Sequence, residues 1–204
     1  FSYKRSMQFI ISVFVALALV AIGHSTFIRN FAWKTEETLW SDAVEKSPNL
    51  LRPHTNLGKV YADAGLSQMA LDQYKKALAL PDRSDRKRHL AHYGIGLYYK
   101  SLKDHSRAEE HFQKAVDLEP RFPSAYTQLG ILQMDKGEED KALEYFLKAL
   151  AYDINSQQER NYAGLVLLRQ NKLTDAISQF QRSLKVNPGD QLYILTHLGA
   201  ACKR

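Results

Sequence analysis

Cysteine and the common catalytic motifs are almost absent from the sequence. Cys202 is the only cysteine among 204 residues, so an intrachain disulfide is excluded, and no activating base stands near this thiol. The chain contains no phosphate-binding glycine loop, no Gly-x-Ser-x-Gly segment and no His-Glu-x-x-His segment. We therefore expect no catalytic residue, no cofactor and no enzymatic activity in this chain.

Candidate metal ligands are equally sparse. His89 and His92 are three residues apart and would share one face of a helix, but no third ligand accompanies them. His92 also falls at a position where helices pack against each other. The sequence therefore predicts a packing role for His92 and no metal site.

The N-terminal residues form the only long apolar stretch. Residues 9–23 contain one clearly polar side chain, Ser12, and the span 7–28 would extend about 33 Å as a helix. This length predicts a membrane-anchoring helix within residues 1–28 that contacts lipid through residues 7–28. A signal peptide cut after small residues such as Ala21 is the alternative. A buried soluble helix is disfavoured, because the stretch is apolar on all sides.

The flanking charges give only weak information on membrane orientation. Lys4 and Arg5 precede the apolar stretch, and Arg29 and Lys34 follow it, so the counts are equal. The positive charges lie closer to the N-terminal end, which favours that end in the cytoplasm. We therefore expect a membrane protein whose following domain is not cytoplasmic, that is, periplasmic or luminal. The start at Phe1 predicts a processed product or a fragment of a longer polypeptide.

A pattern of small and aromatic residues recurs along the rest of the chain. A glycine recurs with spacings of 38, 34, 34 and 35 residues, at Gly58, Gly96, Gly130, Gly164 and Gly199. Twelve residues after each of the first four comes an alanine: Ala70, Ala108, Ala142 and Ala176. Four residues further on is an aromatic side chain, at Tyr74, Phe112, Phe146 and Phe180. Small residues at these offsets allow two helices to approach closely, and the aromatic ring fills the space between neighbouring pairs.

This pattern resembles the tetratricopeptide repeat, a 34-residue helix–turn–helix unit that is stable only when stacked on its neighbours. The resemblance implies an all-α solenoid wound as a right-handed superhelix. Four units would occupy residues 51–190. A degenerate half repeat would occupy 29–50, and a partial fifth repeat or capping helix would occupy 191–204.

The resemblance also implies a function and a site. Repeats of this family bind proteins in a groove lined by their first helices, so we expect a scaffold for protein–protein interaction in a membrane complex. Thr55 and Gly94 stand where a carboxylate clamp needs polar or cationic groups, so a clamp is not expected. The Tyr, Leu, Ile and Met side chains at the groove positions make a mixed apolar surface, which suits an amphipathic helix or an extended segment. The implied partner-binding groove comprises Arg52, Thr55, Lys59, Tyr93, Leu97, Thr127, Ile131, Asn161 and Leu165.

The densest basic run falls where the repeat spacing is longest. It contains Arg83, Arg86, Lys87 and Arg88. Two interpretations remain open, a solvated loop or a docking patch for anionic lipid or acidic protein. No aromatic side chains alternate with these charges as in single-strand binding platforms, so no nucleic acid partner is expected.

The junction at residues 29–61, which leads from the apolar stretch into the first repeat, is similar to a narrower family. It resembles the transmembrane and tetratricopeptide-repeat O-mannosyltransferases and their bacterial relatives, through Arg29, Asn30, Trp33, Glu37, Leu39, Trp40, Ser47, Pro48, Asn49, Asn56, Leu57 and Gly58. This resemblance implies a catalytic, many-helix membrane part upstream and carries no catalytic residue onto this chain. The alternative function is therefore the C-terminal repeat tail of a membrane glycosyltransferase of the GT-C type. A structural accessory subunit of a larger membrane complex is the third possibility.

Overall fold

The computed structural model of the chain describes residues 13–27, 33–81, 87–186, 194 and 196. Every regular element in these residues is an α-helix, which confirms the prediction of an all-α fold. Helix α1 covers residues 13–27. The helices that follow are α2 Glu36–Lys46, α3 Leu51–Asp63, α4 Ser67–Ala79, α5 Arg88–Ser101, α6 His105–Leu118, α7 Pro123–Asp135, α8 Glu139–Tyr152, α9 Gln157–Arg169 and α10 Leu173–Val186.

Helix α1 carries apolar side chains that are exposed, among them Phe14 and Val20 at 69% each. Within the described residues no helix is both long and apolar enough to cross a membrane. The 15 residues of α1 rise about 22 Å, whereas the hydrocarbon core of a bilayer is about 30 Å thick. The predicted span 7–28 extends at both ends into residues outside the described ranges, so the membrane helix stays a prediction.

The repeats form four helix pairs, α3 with α4, α5 with α6, α7 with α8 and α9 with α10, and each second helix also packs on the next first helix. The same turn joins the helices of every pair. The second residue after each first helix has a left-handed backbone: Gly65, Lys103, Gly137 and Asn171 all have φ between 59° and 79°. The next backbone N–H bonds a carbonyl five residues earlier, as in Leu66 to Tyr61 at 2.8 Å. The turn therefore ends each first helix in the same way.

The core consists of the recurring small and aromatic residues. A Cβ added at Gly130 would lie 2.7 Å from a ring carbon of Phe146, and one added at Gly164 would lie 2.6 Å from Phe180. Only glycine leaves room for these rings, so the two helices of a pair approach as the pattern predicts. The alanines are fully buried from the second repeat onwards, as Ala142 illustrates. The stack is therefore continuous, with an aromatic ring between the helices of every pair.

Residues from outside the four units pack on both ends of the stack; the predicted capping segment 191–204 lies outside the described residues except for 194 and 196. Thr35 caps α2 by accepting from the backbone N–H of Thr38, and Trp40 and Val44 pack against the core of the first pair. At the other end Ile194 is 1% exposed and belongs to the same apolar cluster as Phe180. The first pair and the last pair thus each bury apolar surface against a segment from outside the four units.

Candidate functional site

The first helices of successive pairs lie side by side and are joined by polar side chains. Lys100 Nζ on α5 donates to Gln128 Oε1 on α7 at 2.6 Å. Thr127 Oγ1 on α7 donates to Glu159 Oε1 on α9, also at 2.6 Å. These two bridges connect three first helices and define the surface to which most of the predicted groove residues belong.

The predicted groove residues at the fifth position of each first helix lie deep in this surface. Thr55, Thr127 and Asn161 are 2%, 3% and 8% exposed. The hydroxyl of Thr55 donates back to the carbonyl of Leu51 at 2.9 Å, so it is satisfied within its own helix. These side chains contribute to the spacing of neighbouring first helices and offer a partner little surface.

The residues at the ninth position are the accessible ones. Leu97 is 38% exposed, Ile131 and Leu165 are half-buried, and Lys59 is exposed. Arg52, at the second position of α3, is also exposed. Because Leu97, Ile131 and Leu165 occupy the same position on α5, α7 and α9, they present one apolar row across three helices.

Tyr93 lies between the buried core and this apolar row. Its ring centroid is 5.7 Å from that of Phe112 and 5.1 Å from that of Phe122, the latter in an edge-to-face arrangement. Burial raises the pKa of its hydroxyl, while a hydrogen bond with Gln128 lowers it and the charge of Glu159 raises it further. Tyr93 is therefore held rigidly and stays neutral in the physiological range.

This surface also carries two charged residues, Lys100 and Glu159, of which the sequence analysis missed Glu159. Burial lowers the pKa of Lys100, and the charge of Asp135 opposes this shift. Glu159 is 7% exposed and stands where the other units have Pro53, Ala91 and Ala125. Glu159 could have been recognised from the sequence by aligning the third position of each first helix, because a carboxylate stands there in place of a small apolar residue.

The structure describes two residues of the basic run, Lys87 and Arg88, and they have different surroundings. The guanidinium of Arg88 donates to the carbonyls of Leu78 at 2.8 Å and Leu80 at 3.2 Å, so its charge is placed at the C-terminal end of α4. Lys87 is exposed. Arg83 and Arg86 lie outside the described residues. The docking patch stays a prediction, and Arg88 has a structural role at a helix terminus.

The histidine predicted to pack has a partner on the facing helix. Nδ1 of His92 lies 3.1 Å from Nδ1 of His111, and the ring centroids are 5.3 Å apart. In the part of the chain that the structure describes, no three His, Cys, Asp or Glu side chains come together as metal ligands would. The His92–His111 pair therefore acts within the second repeat as a hydrogen-bonded packing contact.

Comparisons with known proteins show which proteins this chain resembles. The tetratricopeptide repeat profile matches residues 89–122 and again residues 123–153. The chain is 25% identical to human Protein O-mannosyl-transferase TMTC3 over 226 aligned positions, covering 87% of this chain and 25% of that protein. It is 31% identical to Photosystem I assembly protein Ycf3 of Rippkaea orientalis, covering 44% of this chain and 60% of that protein. The chain thus spans a quarter of the first relative and less than two thirds of the second.

Among solved structures, YrrB has the same arrangement of helices. YrrB is described as a TPR protein with an unusual peptide-binding site. The two structures superpose with a TM-score of 0.67 at 24% identity, covering 79% of this chain and 81% of YrrB. This likeness supports the fold. Together with the matched profile, the helix pairs and the glycine–aromatic core, it establishes that the chain contains tetratricopeptide repeats in a solenoid-like stack.

Proposed function

We propose that the chain is a scaffold that binds a segment of another protein across the first helices of its repeats. The observation that carries this proposal is the accessible apolar row of Leu97, Ile131 and Leu165, flanked by the polar bridges of Lys100 and Glu159. An apolar centre with polar groups beside it suits a helix or an extended segment. The peptide-binding site named for YrrB adds support from a protein with the same fold.

Site-specific photocrosslinking tests this surface. We expect a benzophenone amino acid at position 97 or 131 to form adducts with one partner protein. The same probe at position 147 should not, because Leu147 lies on α8, a second helix, and is similarly exposed at 46%. Equal adducts at all three positions would contradict the groove, since contact would then not depend on the face.

A second candidate is the protein-binding part of a membrane O-mannosyltransferase. The observation that favours it is the similarity to TMTC3, which extends over 87% of this chain. Under this proposal the repeats bind substrate proteins, and the transfer chemistry belongs to other parts of the polypeptide. The crosslinked partner separates the two candidates. Adducts that carry O-mannose favour the transferase, and unmodified subunits of one complex favour the scaffold.

We further propose that residues 7–28 anchor the chain in a membrane, with the repeats on the non-cytoplasmic side. Exposed apolar side chains along α1, such as Leu17 at 61% and Leu19 at 63%, support this placement. Expressed in cells, the full chain should stay with membranes on carbonate extraction. Leu17→Arg together with Leu19→Arg should release it, since each charge costs about 2.5–3.5 kcal/mol at a helix centre. Leu50→Arg, a control in an exposed loop, should stay bound; retention of all variants would contradict the anchor.

A further inference from the structure

A cavity of about 270 Å³ lies between the first and second repeats, among α3, α4 and α5. Its walls include Leu97 of the apolar row, the rings of Tyr74 and Tyr98, and the carboxylate of Asp63. The cavity is large enough for one side chain together with water. Since Leu97 belongs to both, the cavity lies beside the apolar row.

Gly94 lines the cavity next to the ring of Tyr74. It occupies the sixth position of its first helix, where the other units have Asn56, Gln128 and Tyr162. A Cβ at this position would lie 2.3 Å from a ring carbon of Tyr74. No side chain fits here while Tyr74 keeps its place, so glycine at position 94 lets the Tyr74 ring lie against α5 and form one wall of the cavity.

Tyr74 gives the cavity a polar wall. The equivalent residues Phe112, Phe146 and Phe180 have no hydroxyl, and Tyr74 is only 5% exposed. Within the described ranges its hydroxyl forms no hydrogen bond, and Tyr74 lines the cavity, so this hydroxyl can bond a group that enters it. Burial raises the pKa of Tyr74 to about 12, and the negative charge of Asp63 contributes to the rise. Tyr74 and Asp63 thus both line this cavity.

Asp63 is available to a ligand. Over the residues that the structure describes, its carboxylate forms no ion pair, although six such pairs occur elsewhere. Tyr98 also lines the cavity, and its hydroxyl donates to Gln68 Oε1 at 3.0 Å. The cavity thus combines a negative charge, two tyrosine rings and an unbonded hydroxyl with the apolar side chain of Leu97.

We propose that this cavity binds the cationic side chain of an arginine or lysine in the partner segment. The apolar stem would pack on Leu97, and the charged end would meet Asp63 and the tyrosine rings, both of which attract cations. An anionic side chain would be repelled by Asp63, and a purely apolar one would leave the hydroxyl of Tyr74 unbonded. The inference rests on the proposed function only in that the cation belongs to a bound protein segment.

Free amino-acid derivatives test the cavity without any partner protein. We would titrate Nα-acetyl-arginine amide into the full 204-residue chain and follow backbone amide resonances by NMR. The matched ligand is Nα-acetyl-citrulline amide, which has nearly the same shape and no charge. We expect the arginine derivative to shift the amides of Asp63, Gly94 and Tyr98, and the citrulline derivative to bind about tenfold more weakly.

Three variants then identify the groups that bind. Asp63→Asn should weaken binding of the arginine derivative about tenfold, whereas Asp117→Asn, an exposed carboxylate on α6, should leave it unchanged. Tyr74→Phe should weaken it about threefold and should fold normally, because phenylalanine is the residue of the other units. Equal binding of the citrulline derivative, or shifts confined to α7 and α9 around Glu159, would overturn the inference. Either result would leave the crosslinking test of the apolar row unaffected, so the two failures are distinguishable.

Discussion

Phe146→Ala is expected to lower the free energy of unfolding by about 3–5 kcal/mol. The ring is fully buried, lies against Gly130 and stacks on Tyr162 with centroids 5.1 Å apart and planes 14° from parallel. Its removal would leave a cavity beside a glycine, which has no side chain to move into the space. The loss therefore includes both the transfer of the ring and the unfilled volume.

The position of Phe146 in the stack adds a second expected effect. Phe146 belongs to an apolar cluster that includes Ala163 and Val166 of α9, so the third unit packs directly against the fourth. Because repeat arrays are stabilised by contacts between neighbours, weakening a central unit should also broaden the unfolding transition. Urea denaturation of the full chain, followed by circular dichroism, measures both the midpoint and the slope.

Leu147→Ala is the matched control for this prediction. It changes the adjacent residue of the same helix, but Leu147 is 46% exposed, and such surface changes are usually worth less than about 0.5 kcal/mol. Equal losses for the two variants would mean that the assignment of buried and exposed faces on α8 is incorrect. A large loss confined to Phe146→Ala supports the repeat register.

The buried positions of the fold could be predicted because every unit must bury the same ones. Gly130, Ala142 and Phe146 are found at equivalent offsets in the other units, and this repetition separates a packing rule from chance. The pattern did not show that Lys103 and Asn171 adopt the same left-handed backbone as Gly65. Periodicity thus predicts which face of each helix is buried.

The details of the candidate site could not be predicted in the same way. The sequence analysis placed Thr127 and Leu97 in one groove, but the structure shows the first as buried and the second as accessible. The cavity at Gly94 and the buried Glu159 involve residues that differ from the repeat pattern, and a consensus pattern gives no information about such differences. A position in a repeat fixes the direction of a side chain, whereas its exposure depends on what the neighbouring unit places opposite it.

The His92–His111 pair illustrates the same limit and leads to a prediction about pH. Sequence placed His92 in the packing between helices but gave no sign that a second histidine, 19 residues later, faces it at 3.1 Å. Burial and the proximity of His111 lower the pKa of His92 to about 4; Lys114 and Arg88 contribute to the lowering, and Glu110 opposes it. Burial and Lys114 also lower the pKa of His111, with Lys75 contributing and Glu110 opposing.

The direction of the effect on stability follows from the proton balance. In the unfolded chain a histidine has a pKa of about 6.5, whereas His92 in the folded chain has a pKa of about 4. Between these values the unfolded state binds more protons, so the free energy of unfolding falls as the pH is lowered from about 6.5 towards 4. Because the pair is only half-buried and solvent screens its charge, we expect a loss on the order of 2 kcal/mol from His92.

His92→Gln should therefore make stability less dependent on pH. Glutamine can still accept or donate a hydrogen bond towards His111, but it takes up no proton in this range. We expect urea midpoints measured at intervals from pH 7.5 to pH 4.5 to fall less steeply in this variant than in the wild type. His24→Gln, which changes an exposed histidine of α1 outside the repeats, is the control and should follow the wild type. Identical slopes for all three proteins would show that the two imidazoles do not resist protonation in the folded state, and the proposed proton balance would be wrong.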